Sequence, residues 1–176
     1  MDASDLLFRM LSYQAWAHKE ILEAMRDLHV EHHAEERKLA LRLMNHCLVV
    51  NKIFSAHLVG DRHGFISANT SDTPELDELH AETVEVDRWY LRYAEAITSA
   101  MLHESVPFEF TDGDKGYMTR EEMLTHVVTH GGYHRGEVGR IMIQASARSG
   151  REVVLPWDTY AVYLHRSEPA RRSQGK

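Results

Sequence analysis

His126, His130 and His134 recur every four residues in a stretch that otherwise reads as helix. Residues i and i+4 on a helix share a face, with Cβ atoms about 5–6 Å apart. Two imidazoles so placed can chelate one metal ion, each nitrogen about 2.0–2.1 Å from a zinc-like centre. All three cannot converge, because each four-residue step turns about 40° further round a helix of 3.6 residues per turn. One adjacent pair is therefore the expected chelate, His126 with His130 or His130 with His134, and spacing does not choose between them. The rest of the site must come from elsewhere in the chain.

His46 is the candidate for that remainder. It stands mid-helix between Leu43 and Val50 on an apolar face, where an unpaired imidazole would be costly to bury. Three neutral imidazoles on a divalent ion leave one or more coordination positions for water or substrate, as in catalytic zinc sites. His57, about three turns further on, lies too far along the axis to share that centre. Gly131 and Gly132 each cost a helix about 0.5–1 kcal/mol relative to alanine, so they predict a close helix approach or space for a ligand. Arg135 and Glu137 flank His134 and are candidates for supporting its imidazole or contacting a substrate. Asp158, after a Pro-Trp corner, is a further candidate to orient a ligand imidazole. Cys47 points about 100° away from His46 and is expected to be a buried, inert thiol. Tyr133 and Trp16 read as packing residues, and His32, His33 and His63 as surface side chains.

Four long amphipathic patterns must position these groups. The first spans about residues 4–28, with Ser4 as its cap and Leu7, Leu11, Ala15, His18, Leu22 and Met25 in its stripe. The second spans about 33–59, with Leu39, Leu43, His46 and Val50 on one face, followed by a polar loop through Ser71. Asp72-Thr73-Pro74-Glu75 supplies a capping side chain, a first-turn proline and an acid for a third helix running to about His103. Residues 106–116 alternate and then turn, which predicts a small β-hairpin or extended loop. Thr119-Arg120-Glu121-Glu122 has the spacing of a capping box and opens the fourth helix. A short helical element is expected over 157–165. The fold class is therefore all-α, a four-helix bundle with a hairpin or extended loop before its last long helix. Residues 1–168 are expected to form one domain, and 169–176 a flexible tail.

Composition narrows the partners. The chain has 176 residues, a formal charge of −7, 13 histidines and one cysteine. That charge disfavours nucleic acid and anionic membrane surfaces. No apolar run approaches the roughly 18–20 residues that span a bilayer. A single cysteine excludes an intramolecular disulfide, and an acidic Met1–Asp5 lacks a signal-peptide pattern, so the expected compartment is the cytoplasm.

Three segments together resemble the DinB-like family of metal-dependent helical bundles. They are Tyr13-Gln14-Ala15-Trp16-Ala17-His18-Lys19-Glu20, Leu43-Met44-Asn45-His46, and the run from His126 through His134-Arg135-Gly136 to Val138. The last is the specific one, and the similarity covers nearly the whole chain. The resemblance implies a metal triad of His46, His130 and His134, with His126 at a recurring position outside it. It also implies a divalent ion (zinc or nickel first, iron or manganese after them) and a homodimer. The family is distinct from the DNA polymerase that shares its label. Its broader superfamily contains S-transferases and isomerases that use mycothiol, bacillithiol or glutathione. The implied activity is a metal-dependent enzyme of thiol S-transferase or related type, with a low-molecular-weight thiol as substrate. The alternatives are a metal-dependent hydrolase and a non-catalytic metal-binding or stress-response protein.

Overall fold

Asp2 starts the first helix. Its carboxylate accepts the Asp5 amide at 3.0 Å, and Asp5 accepts the Asp2 amide in return. The cap is thus two residues earlier than Ser4, whose hydroxyl instead donates to Asp2 at 2.7 Å. Those hydrogen bonds, Ser4 first, pull the Asp2 carboxyl down to about 2. Helix α1 then spans Ala3–Ala24, followed by a 3-10 turn over Met25–Asp27. The computed structural model describes residues 2–172, and everything below concerns those residues.

Helix α2 spans Ala34–Val59 and ends on Gly60, whose φ of 75° is the left-handed conformation that glycine adopts without cost. His33, expected at the surface, is buried at the cap position. Its Nδ1 accepts the His29 amide at 3.0 Å, and its Nε2 lies 2.8 Å from Ser149 Oγ. Leu39, placed by periodicity in the buried stripe, is instead 55% exposed.

Helix α3 covers Leu76–Ala96 with Glu75 at its cap position, so Pro74 precedes the helix rather than entering its first turn. It also stops well before His103. Ile97 turns extended to bury its side chain in the core, and Thr98 caps a separate short helix, α4, over Ser99–Leu102. A 21-residue helix and a four-residue one therefore replace the single element that periodicity predicts.

Strands β1 (Ser105–Glu109) and β2 (Lys115–Thr119) form the antiparallel hairpin, with Val106 opposite Met118. Val106 and Phe108 alternate inward from β1. Thr119 closes β2 and opens helix α5, Arg120–Ser149, through the expected capping box with Glu122. Helix α6 spans Tyr160–Ser167, later than the expected 157–165, and leaves Trp157 exposed. Pro169–Arg172 form a 3-10 turn. The rest of the expected tail, 173–176, lies outside the described residues.

The chain is mostly helical, with six helices and one two-stranded hairpin among the described residues. Helix α1 packs on α3 and α5, and α2 packs on the same two partners. Each long helix contributes to two separate apolar clusters. Leu7, Val50, Tyr90 and Val127 belong to one, and Leu22, Met44, Leu79 and Val138 to the other. Where the stripes pass from one cluster to the other, polar side chains are buried instead. Gln14 and His18 occupy that stretch of α1, Asp87 that of α3 and Arg135 that of α5. His18 Nδ1 sits 3.0–3.1 Å from both Asp87 oxygens, so this polar level is partly self-satisfied. None of the helices is long and apolar enough to cross a membrane.

Candidate metal centre

The contact between α2 and α5 brings three imidazoles together at this same level. His46 comes from α2, and His130 and His134 from successive turns of α5. One ring nitrogen from each lies within 4.8 Å of the other two. His46 Nε2 and His130 Nε2 are 3.0 Å apart. Nitrogens about 2.0–2.1 Å from one zinc-like centre stand about 3–3.4 Å apart at near-tetrahedral angles, so this spacing suits a shared ion.

The outer nitrogens explain which lone pairs face inward. His46 Nδ1 lies 2.6 Å from the Ala68 carbonyl oxygen, which can only accept, so Nδ1 carries the proton and Nε2 is bare. His134 Nδ1 meets Glu137 Oε2 at 2.6 Å, which fixes the same tautomer. Burial, and then the neighbouring His134, His46 and His126, push His130 down to about 3, so it is neutral near pH 7. Its Nδ1 is buried with no hydrogen-bond partner. The three residues are half-buried. The donor set and its spacing fit a divalent cation, which His46, His130 and His134 would hold.

His126 is turned elsewhere. Its ring stacks on Phe54 at 4.6 Å and lies 5.3 Å from that of His130, outside the group of converging nitrogens. His57 packs on Phe108 and His63, away from the centre as its position along α2 predicts. Cys47 is buried, and desolvation raises its thiol to about 12, in line with an inert side chain.

Three side chains lie elsewhere than their neighbourhood in the sequence suggests. Asp158 does not touch an imidazole; it accepts Tyr13 Oη at 2.5 Å and Arg135 Nε at 2.7 Å. Arg135 itself is 2% exposed and lies against α1, because a step of about 100° from His134 carries it across the buried line of α5. Tyr133, expected to pack, is 68% exposed, with its ring 5.0 Å from His134. Trp16 does pack, between Tyr13, Tyr163 and the Arg166 guanidinium. Nothing in the sequence marks Ala68, whose contribution is a backbone carbonyl placed by the loop after α2.

The glycines divide in the same way. A Cβ on Gly131 would stand 2.8 Å from Gln14 Oε1 and 3.1 Å from Arg135 Nη1, so that glycine permits the α1–α5 approach. A Cβ on Gly136 would meet nothing within 4 Å. Gly136→Ala is therefore expected to stabilise the protein by about 0.5–1 kcal/mol in a denaturant titration. Gly131→Ala should gain none of this, and equal gains at both positions would contradict the close approach.

The metal-free protein should also weaken in acid. Desolvation holds His57, His126 and His130 below the ordinary histidine range in the folded state. The unfolded chain takes up these protons as pH falls through about 6.5, whereas the folded chain resists until lower pH. The stability tied to their neutral forms is therefore full above about pH 6.5 and lost progressively below it, toward about 3 for His130. Thermal melts of metal-free protein at pH 7 and pH 5 test this, with the lower midpoint expected at pH 5.

The sequence profile of the DinB family matches residues 1–165. The chain is also 27% identical over 172 residues to Protein DinB of Bacillus subtilis (strain 168), an alignment covering 92% of this chain and 95% of that protein. No solved structure matches it at a comparable level. The family match spans α1 to α5 and takes in all three converging histidines, so this chain belongs to the DinB family.

Proposed function

We propose that this protein binds one divalent metal ion through His46, His130 and His134 and works as a metal-dependent enzyme of thiol S-transferase or related type. The observation that carries this reading is the convergence of three imidazole nitrogens at a half-buried position, two of them with outer nitrogens tied to acceptors. Such a site holds an ion firmly yet leaves coordination free. A bound divalent cation supplies Lewis acidity, which lowers the pKa of a thiol or water and so provides a nucleophile near neutral pH.

The chain's own groups do the positioning. Ala68 O and Glu137 hold the protons on Nδ1 of His46 and His134, which leaves both Nε2 lone pairs free to bind an ion. Glu137 also places a carboxylate beside the centre, where it fixes the orientation of the His134 ring. Zinc or nickel suits this all-imidazole donor set, and iron or manganese is less favoured. The four long helices are read as a four-helix bundle within one domain over 1–168. A homodimer in the cytoplasm completes the reading.

A panel of low-molecular-weight thiols, including bacillithiol, mycothiol and glutathione, with electrophilic acceptors provides the test. Turnover that appears with added metal and disappears with chelator is the expected result. Metal-dependent ester or amide hydrolysis without thiol would favour the hydrolase. Tight metal binding with neither activity would leave a metal-binding protein without catalysis.

A further inference from the structure

The flank of α5 opposite the histidines is also built in an unusual way. At about 100° per residue, Gly132, Gly136 and Gly139 fall on one side of the buried line through Gly131, Arg135 and Val138, while His130 and His134 fall on the other. No side chain projects from these three glycines, and a Cβ on Gly136 or Gly139 would meet nothing within 4 Å. The result is a groove of about 760 Å³ between α5, α1 and the segment carrying Leu155 to Thr159. Ile21, Ile143 and Leu155 give it apolar walls, and Trp157, 71% exposed, forms part of one side.

Its charge is the second observation. Among the lining residues, Arg135 and Arg140 face a single acid, Asp158, so the groove carries a net positive charge on a chain whose formal charge is −7. The Arg135 side chain is 1% exposed and spends only Nε on Asp158. Its Nη1 and Nη2 are buried without hydrogen-bond partners. Nη2 lies 3.9 Å from where a Cβ on Gly132 would stand, so no side chain from that position screens it from the groove. Two donor groups without acceptors are costly to bury and favour a nearby anion.

We propose that this groove is a small-molecule site, separate from the imidazole centre, for an organic anion with an apolar body. Its carboxylate pairs with Arg140 at the rim in the field of the Arg135 guanidinium. Its aliphatic or aryl portion lies on the glycine face against Trp157. The glycines, which lower helix propensity, are explained by the room this body needs.

The test is a 1H–15N NMR titration with a panel of aryl and aliphatic carboxylates led by 4-phenylbutyrate, each beside its uncharged primary amide. Saturating shifts at the Gly132, Gly136 and Gly139 amides and the Trp157 indole N–H are expected, with the amides binding more weakly. Arg140→Gln should weaken carboxylate binding by roughly fivefold, the scale of one partly exposed ion pair. Gly136→Leu fills open space without touching the core and should weaken binding at least about tenfold. Both variants should keep the wild-type metal content. The shifts should persist in His134→Ala, whatever becomes of the metal reading. Failure of every carboxylate to saturate below roughly 10 mM, equal binding by the amides, or unchanged binding by Gly136→Leu would each overturn the proposal. Loss of the shifts in a folded His134→Ala protein would overturn its separateness from the imidazole centre.

Discussion

Replacing His134 with alanine is expected to reduce the metal content of untagged, purified protein to background. The residue supplies one of three converging nitrogens, and its own orientation is fixed by Glu137 at 2.6 Å. Second-partner substitutions at metal sites cost about 10–100-fold in affinity, so losing the ligand should cost at least about 100-fold. Glu137→Gln should fall within that smaller range, because a neutral amide accepts the Nδ1 proton more weakly than a carboxylate and holds the ring less firmly. His126→Ala should keep its metal, since that ring stacks on Phe54. Elemental analysis of the four proteins reads all of these outcomes. Equal metal content in wild type and His134→Ala would remove the three-histidine reading.

Asp158→Ala is expected to be strongly destabilising although the residue lies outside the apolar core. The carboxylate is the acceptor for Arg135 Nε at 2.7 Å and for Tyr13 Oη at 2.5 Å. Without it, a guanidinium that is 1% exposed is left with no counter-ion. Breaking one side of a buried pair costs about 3–5 kcal/mol, and the lower end applies because Asp158 is itself 21% exposed. For a chain of this size about 3 kcal/mol corresponds to a midpoint lower by about 6–12 °C. Arg135→Met in the Asp158→Ala background should recover part of that loss, because it removes the unpaired charge and fills similar volume. A thermal midpoint within about 2 °C of wild type for Asp158→Ala would show that the pair is solvated and contributes little.

The local signals that could be read from the chain are those with short-range causes. The capping box at Thr119 and Glu122 forms as its spacing predicts, since both partners lie within one turn. The alternating residues before Asp112 form β1 because a hairpin needs only its own turn and a neighbouring strand. Family resemblance, rather than spacing, selected His130 with His134, and the structure turns those two rings toward His46. Other expectations failed where a distant partner intervened. The third helix breaks where Ile97 finds a buried place in the core. His33 is buried by Ser149, 116 residues further along the chain.

The sequence by itself determined the helical periods, the hairpin, the single inert thiol and the short list of imidazoles able to meet. It could do so because propensity, capping and i,i+4 geometry depend on residues within a turn or two. Tertiary structure decided which flank of α5 each group serves. His134 and Arg135 are adjacent in sequence, yet one faces α2 and a candidate metal centre while the other faces α1 and the glycine-lined groove. That division comes from a rotation of about 100° per residue combined with two different neighbouring helices, and no local pattern records which neighbour stands on which side.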